Sequence, residues 1–382
     1  MQPESSLAIV AIACGIALIV VVLWEAFETI ILPRRVARRF RLTRLFYRAT
    51  WFPWVRVVAR FVPARRQETW LSFFGPLSPI LLLSLWAGML ITGFGLLYWA
   101  LGATILTRGG PVGFLAGLYL SGTTFFTLGI GDAVPGNGVA RFLVVVEAGT
   151  GFAFLALVIG YLPALNQSLT RREISISLLD ARAGSPPTAS EMLRRHGHAQ
   201  GMEALRELLF NWELWSAELL EGHLSYSVLT YFRSQHDNQS WLAALTAVLD
   251  TCAMVMAGLE GPCRQQAELT FAIARHALVD LCIVFRFGPR EAPDRLPPEK
   301  MAQPQAILAA AGIPLQEEGL DPRLRELRRM YEPYVNALAF YLRFTIPPWV
   351  AGKEPRDNWQ TSIWEPRAIR RRPAGKDGNE HF

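Results

Sequence analysis

The chain has 382 residues, of which 51% are hydrophobic and only 18% charged, and its formal net charge is +6. This balance points to a membrane protein with room for two or three domains. No nucleophile elbow, phosphate-binding loop or zinc signature occurs, so we expect no enzyme, no cofactor, no bound metal and no nucleic-acid partner.

Three long stretches without a charged residue predict transmembrane helices: residues 7–24, 75–107 and 148–170. Each is long enough to cross about 30 Å of hydrocarbon as a helix. The first has no basic residue before it and extends past Glu25 and Glu28 to Leu32, which indicates a retained helix over residues 1–32 rather than a cleaved signal peptide. A fourth uncharged stretch, residues 109–131, is rich in glycine and threonine and suits a re-entrant element.

The segment between the first two helices is strongly basic. From Arg34 to Arg66 it contains eleven arginines and no acidic residue, so the positive-inside rule places residues 33–77 in the cytoplasm. The N-terminus is then outside a cell inner membrane, and everything after Asn166 is cytoplasmic. We expect an interfacial helix whose arginines contact anionic lipid and whose Trp51 and Trp54 anchor the same layer. A voltage sensor is disfavoured, because only one helix precedes the segment.

The sequence from Gly122 reads G-T-T-F-F-T-L-G-I-G-D-A-V-P. Its core resembles the T-V-G-Y-G-D filter of the potassium-channel pore-loop family, and Pro135 follows at the family's distance. The resemblance covers about residues 80–165 and implies a pore domain over residues 78–166. It also implies a potassium selectivity filter formed by Thr127, Leu128, Gly129, Ile130, Gly131 and Asp132.

The residue types suit that chemistry. A dehydrated potassium ion needs rings of backbone carbonyls, which four copies of a short extended segment can supply around one axis. Some of its residues must then adopt backbone angles that favour glycine, which accounts for Gly129 and Gly131. One chain carries one such segment, so we expect a homotetramer with potassium as the permeant ion.

One departure from the family pattern leaves an alternative open. Ile130 stands where the family has an aromatic residue that packs against the pore helix and donates a hydrogen bond. Without that brace, the channel would be weakly selective among monovalent cations. A membrane-anchored helical sensor or scaffold with a non-conducting pore is a second alternative.

Behind the filter, Thr123, Thr124 and Glu147 are candidate support residues. A carboxylate within the membrane needs a partner, and the two threonine hydroxyls are candidates for Glu147. Gly149 and Gly151 match the place where the family has a bending glycine. The alternative for these glycines is that they only allow close helix packing.

Beyond residue 166, apolar residues recur at helical spacing, which predicts an all-helical cytoplasmic domain over residues 167–350. We expect helices near 202–232, 240–259, 265–285 and 322–342. No dinucleotide-binding fingerprint occurs in this region. The basic tail, residues 351–382, is expected to be disordered. The predicted fold class is therefore an all-α membrane protein with three transmembrane helices, a re-entrant pore helix and filter, and an all-α cytoplasmic domain.

Overall fold

A computed structural model describes residues 5–32, 41–107, 113–198, 201–234, 239–313, 315–316 and 318–351. It confirms the predicted all-α fold, since the described part contains one short two-stranded ribbon and is otherwise helical or irregular. The chain divides into two compact units. The first unit comprises residues 1–169 and 222–232, and the second comprises residues 170–221 and 233–382. The predicted tail from residue 352 onward lies outside the described residues.

The first unit is built on long apolar helices. Its elements are α1 (Ser5–Ala26, continued by a π-helical turn at Phe27–Ile31), α2 (Leu42–Phe61), α3 (Ala64–Ser72), α4 (Phe74–Ala100), β1 (Ile105–Thr107), α5 (Phe114–Phe125), β2 (Ala133–Pro135) and the first part of α6 (Gly138–Ala183). A 3₁₀ turn at Ser227–Tyr231 also belongs to it.

Helices α1, α4 and α6 are long and apolar enough to cross a membrane, and so is α9 of the second unit (Trp241–Gly258). In α1 and α6 only 17% of the most apolar window is buried within the chain, whereas in α9 the share is 94%. A helix that is apolar on all sides is stable where other protein or lipid covers it. We therefore interpret α1, α4 and α6 as the membrane spans and α9 as a core helix.

Helices α1 and α4 approach each other closely through two glycines. A Cβ atom on Gly15 would lie 2.8 Å from the carbonyl oxygen of Gly93, and one on Gly93 would lie 3.0 Å from the carbonyl oxygen of Gly15. Small residues at such crossings let the backbones of membrane helices pack by van der Waals contact.

The basic segment is fixed to the end of α1 by a buried carboxylate. Glu25 accepts hydrogen bonds from the backbone N–H groups of Leu42 and Thr43, both at 3.0 Å, and from the Thr43 hydroxyl at 2.8 Å. These bonds satisfy donors at the N-terminus of α2 and place a negative charge at its positive end. Residues 33–40, which belong to the predicted lipid-binding segment, lie outside the described residues.

The predicted role of Trp51 as an interfacial anchor is wrong. Its side chain is 1% exposed, and its ring packs against Phe74 at 4.8 Å and Tyr231 at 5.3 Å between centroids. Tyr47 stacks on Tyr231 at 5.2 Å. The reason is that α2 turns one face toward α4 and the 3₁₀ turn, and Trp51 lies on that face.

The second unit packs around α9. It contains the end of α6, α7 (Ala189–Arg195), α8 (Gly201–Ser225, up to residue 221), α9, α10 (Pro262–Phe285), a 3₁₀ turn at Pro298–Lys300, α11 (Ala302–Ala310), α12 (Leu320–Arg329) and α13 (Glu332–Leu342). Helices α7, α10, α12 and α13 all contact α9, which explains its burial.

A buried network of ion pairs and hydrogen bonds links α9 to the residues packed around it. Arg295 donates two parallel hydrogen bonds to Asp250 at 2.7 and 2.8 Å and a third to Glu332 at 2.7 Å. The Tyr331 hydroxyl also donates to Asp250. Burial first, and then the Asp250 carboxylate, raises the pKa of Tyr331, so this phenol remains a neutral donor.

The helices differ from the predicted ones in their bounds and in their number. Helix α6 is continuous for 46 residues through Pro163 and so extends beyond residue 166, where the pore domain was predicted to end. The predicted helix over 322–342 is two helices, because the chain breaks between Arg329 and Glu332. Helices α7 and α11 were not predicted, since each has fewer than ten residues and too short an apolar pattern.

Candidate ion-conduction site

The re-entrant helix α5 lies against α4 at a second glycine pair. A Cβ atom on Gly117 would lie 3.1 Å from the carbonyl oxygen of Gly95. Helix α5 spans Phe114–Phe125, within the uncharged stretch 109–131 that predicted a re-entrant element. Its negative C-terminal end leads directly into the candidate filter segment, where it favours a cation.

The candidate filter has an alternating backbone. The φ angles of Thr127, Gly129 and Gly131 are +55°, +59° and +80°, whereas Leu128 and Ile130 have no positive φ. Positive φ is readily adopted by glycine and strained for threonine. The sign of φ therefore changes at every second residue, which distinguishes this segment from a regular strand.

The start of this segment is held by backbone carbonyls of α5. The N–H of Leu128 donates to the carbonyl oxygen of Thr123 at 2.8 Å, and the N–H of Thr127 donates to that of Thr124 at 3.0 Å. The two threonines therefore support the segment through their main chains.

The C-terminal end of the segment is held by Tyr119 and by the ribbon. The Tyr119 hydroxyl donates to the Asp132 carboxylate at 2.7 Å. Strand β2 then pairs with β1 in antiparallel register, with Pro135 opposite Ile105. Asn137 accepts from the N–H of Ala140 at 2.9 Å and so caps the start of α6.

The hydroxyl partners of Glu147 are not the predicted ones. Its fully buried carboxylate accepts a hydrogen bond from the Tyr98 hydroxyl at 2.8 Å and contacts the Ser121 hydroxyl. The Thr123 hydroxyl instead donates to the carbonyl of Leu120 at 3.0 Å. Ser121 and not Thr123 or Thr124 meets Glu147 because that face of α5 turns toward α4 and α6.

The two glycines of α6 differ in their surroundings. A Cβ atom on Gly151 would lie 2.2 Å from the carbonyl oxygen of Phe125 at the end of α5, whereas one on Gly149 would meet nothing within 4 Å. Gly151 is therefore required for close packing. The bending role predicted for either glycine stays a prediction.

Sequence reasoning missed three residues of the site: Tyr98, Tyr119 and Ser121. Each is a hydroxyl side chain in a mostly apolar helix, where a buried polar group needs a partner. That signal was available for Ser121 and Tyr98 once Glu147 had been noticed. The pairing of Tyr119 with Asp132 depends on how the segment folds back on α5.

A comparison with known protein families matches the part of the chain that contains the candidate filter. Residues 86–167 match the family described as "Ion channel". The matched residues contain α5, the candidate filter and the first part of α6. The match indicates an ion-channel pore in this part of the chain.

A curated relative also matches. The chain is 25% identical over 186 residues to the "Uncharacterized membrane protein YdjJ" of Bacillus subtilis (strain 168), an alignment covering 47% of this chain and 52% of that protein. The chain thus spans about half the length of the relative. No solved structure matches the chain. Together these comparisons and the apolar helices identify a membrane protein.

Proposed function

We propose that the chain is one subunit of a homotetrameric channel that conducts potassium selectively and passively. The observation that carries this proposal is the alternating backbone of residues 127–132, which directly follows the C-terminal end of a re-entrant helix. Four such segments around an axis would offer stacked rings of carbonyl oxygens in place of the ion's hydration shell. Asp132, held by Tyr119, would add negative charge at the outer mouth.

Exposure of the filter and of α6 supports assembly from several copies. The apolar side chains of Leu128 and Ile130 are 60% and 59% exposed in the single chain. Helix α6 leaves large apolar residues uncovered at helical spacing, among them Phe142, Val145, Phe152, Leu155 and Ile159. A cyclic tetramer would cover part of this surface and close the ion pathway.

The test is ion flux in liposomes that contain the purified full chain, under opposed potassium and sodium gradients. We expect a reversal potential near the potassium equilibrium value. Gly129→Asp should abolish the flux, because any residue with a Cβ atom is strained at φ +59° and Asp adds a charged side chain to the filter segment. Gly288→Asp is the matched control: this exposed glycine has no positive φ and nothing within 4 Å of an added Cβ.

A second candidate function is a weakly selective monovalent cation channel, and the side chain of Ile130 favours it. This residue is aliphatic and cannot donate a hydrogen bond. A reversal potential near zero, with flux still abolished by Gly129→Asp, would establish this candidate. No flux from the full chain would favour a membrane-anchored helical sensor or scaffold.

The basic segment is proposed to contact anionic lipid. On α2 the arginines Arg48, Arg56 and Arg60 are exposed together with Phe52 and Phe61, which suits headgroups and acyl chains at one interface. Each arginine near an anionic surface contributes about 1 kcal/mol, so R56Q/R60Q should weaken the retention of anionic phospholipid about tenfold or more. The control is R323Q/R329Q, which removes two exposed arginines from α12.

The proposed location is a cell inner membrane, with the N-terminus outside and residues after 166 in the cytoplasm. The arginine bias of residues 34–66 supports this orientation. Protease added outside intact spheroplasts should leave the second unit uncut and should cleave it in inverted vesicles. The opposite pattern would reverse the orientation.

A further inference from the structure

The carboxyl group of Glu147 belongs to a chain of hydrogen-bond contacts that joins three helices. The Tyr98 hydroxyl of α4 donates to one carboxyl oxygen at 2.8 Å, and the other carboxyl oxygen contacts the Ser121 hydroxyl of α5. The Ser121 oxygen also lies 2.8 Å from the carbonyl oxygen of Ile91 in α4. Tyr98, Ser121 and Glu147 are all fully buried.

The number of protons available decides how this chain can be bonded. It has three links: Tyr98 to Glu147, Glu147 to Ser121, and Ser121 to the Ile91 carbonyl. Each link needs one proton between its two oxygens. Tyr98 and Ser121 carry one hydroxyl proton each, and the Ile91 carbonyl carries none. If each link is an ordinary two-centre hydrogen bond, the third proton is on Glu147.

An ionised Glu147 would leave one link without a proton. If Ser121 donated to the carboxylate, its lone pair would face the Ile91 carbonyl, and if it donated to Ile91 its lone pair would face the carboxylate. Either arrangement brings two acceptor oxygens into direct contact without a hydrogen between them. A buried polar group that lacks its hydrogen bond costs free energy.

The surroundings offer no cation to compensate a charge. Among the described residues of α4, α5 and the membrane part of α6, the other titratable or charged groups are Tyr98, Tyr119, Arg141 and Tyr161. Tyr119 is bonded to Asp132 beside the filter. Arg141 is exposed and lies six residues before Glu147, so neither it nor Asp132 contacts the Glu147 carboxyl.

We propose that Glu147 is a protonated positioning residue, which donates a hydrogen bond to Ser121 and thereby links α6 to α5 and α4 behind the filter. Its consequence for conduction rests on the proposed channel function. Removing the proton, which would leave to water at alkaline pH, breaks one of the three links and loosens α5 against α6. Potassium flux should therefore fall as the pH is raised.

Infrared spectroscopy of the full chain in liposomes tests the protonation itself and does not depend on flux. A protonated carboxyl has a carbonyl stretch that a carboxylate lacks. The difference spectrum between wild type and Glu147→Gln at neutral pH should contain this band. The corresponding spectrum for Glu203→Gln, which removes an exposed glutamate paired with Arg206, should not. Absence of the band from the Glu147→Gln difference spectrum would overturn the proposal, whether or not the protein conducts.

Flux of three proteins across the same pH range tests the positioning role. Glu147→Gln keeps a donor for Ser121 and an acceptor for Tyr98, so we expect flux within about twofold of wild type and no loss at alkaline pH. Glu147→Ala removes both contacts and should reduce flux about tenfold or more at neutral pH. Equal losses in Glu147→Gln and Glu147→Ala would contradict the role of the donated bond. A wild type without any flux would contradict the proposed channel, while the infrared result would still decide the protonation.

Discussion

Helices α1 and α9 have similar apolar compositions but opposite surroundings. Only 17% of the most apolar window of α1 is buried within the chain, against 94% for α9. Four helices of the second unit cover α9, whereas α1 packs mainly on α4. The same kind of sequence thus serves either as a membrane span or as a protein core, depending on whether the rest of the chain supplies a cover.

The buried carboxyl groups of the two units have different surroundings. In the second unit, Asp250 is held by both terminal nitrogens of Arg295 and by Tyr331. In the first unit, Glu147 is surrounded by hydroxyl groups. Burying a charged carboxylate costs much free energy unless a cation is paired with it. The described membrane helices around Glu147 place no such cation beside it.

The largest expected effect concerns the packing of α6 on α5. Gly151→Ala would place a Cβ atom 2.2 Å from the Phe125 carbonyl oxygen, so α5 and the filter have to move. We expect loss of measurable ion flux in liposomes. Gly149→Ala, which meets nothing within 4 Å, should retain flux; a loss there comparable to that of Gly151→Ala would instead favour a bending role for Gly149.

Breaking the ion pair of the second unit should give the next largest effect. Asp250→Ala leaves Arg295 buried without its main partner and should lower the free energy of unfolding by about 3–5 kcal/mol. Thermal unfolding followed by tryptophan fluorescence measures the change. Asp321→Ala breaks an exposed pair with Arg325 and should cost about 0.5 kcal/mol or less. Equal losses of unfolding free energy in the two variants would show that burial does not strengthen the effect of breaking this network.

Two adjacent residues of α2 distinguish its covered face from its exposed face. Trp51 is 1% exposed and Phe52 is 52% exposed. Trp51→Ala should destabilise the first unit by about 3 kcal/mol through the cavity it leaves. Phe52→Ala should leave thermal stability nearly unchanged and weaken retention of anionic lipid. The reverse pattern would mean that α2 presents the other face to the membrane.

The smallest expected effect comes from removing a helix cap in the second unit. The Thr188 hydroxyl accepts a hydrogen bond from the N–H of Glu191 at 3.3 Å at the start of α7. Thr188→Ala should cost about 1 kcal/mol. Thr188→Ser, which keeps the acceptor, should recover most of this loss in the same unfolding measurement.

Much of the secondary structure of the first unit could be predicted from local sequence patterns. The uncharged runs predicted α1, α4 and α6, and the filter implied by the family resemblance predicted glycine-type backbone angles at Gly129 and Gly131. The positive φ of Thr127 was not predicted, since its residue type gives no sign of it. In the second unit, the apolar spacing predicted α9 and α10 closely, but the break at residues 330–331 depends on packing around Tyr331.

The sequence by itself determined that this is an all-α membrane protein with a glycine-containing segment between two apolar helices, because charge distribution and backbone freedom are local properties. The tertiary structure decided which polar groups meet. It brought Tyr98 and Ser121 to Glu147, Tyr119 to Asp132, and Arg295 to Asp250. These partners come from different helices or from far along the chain, and only the packing of those helices sets the distances between them.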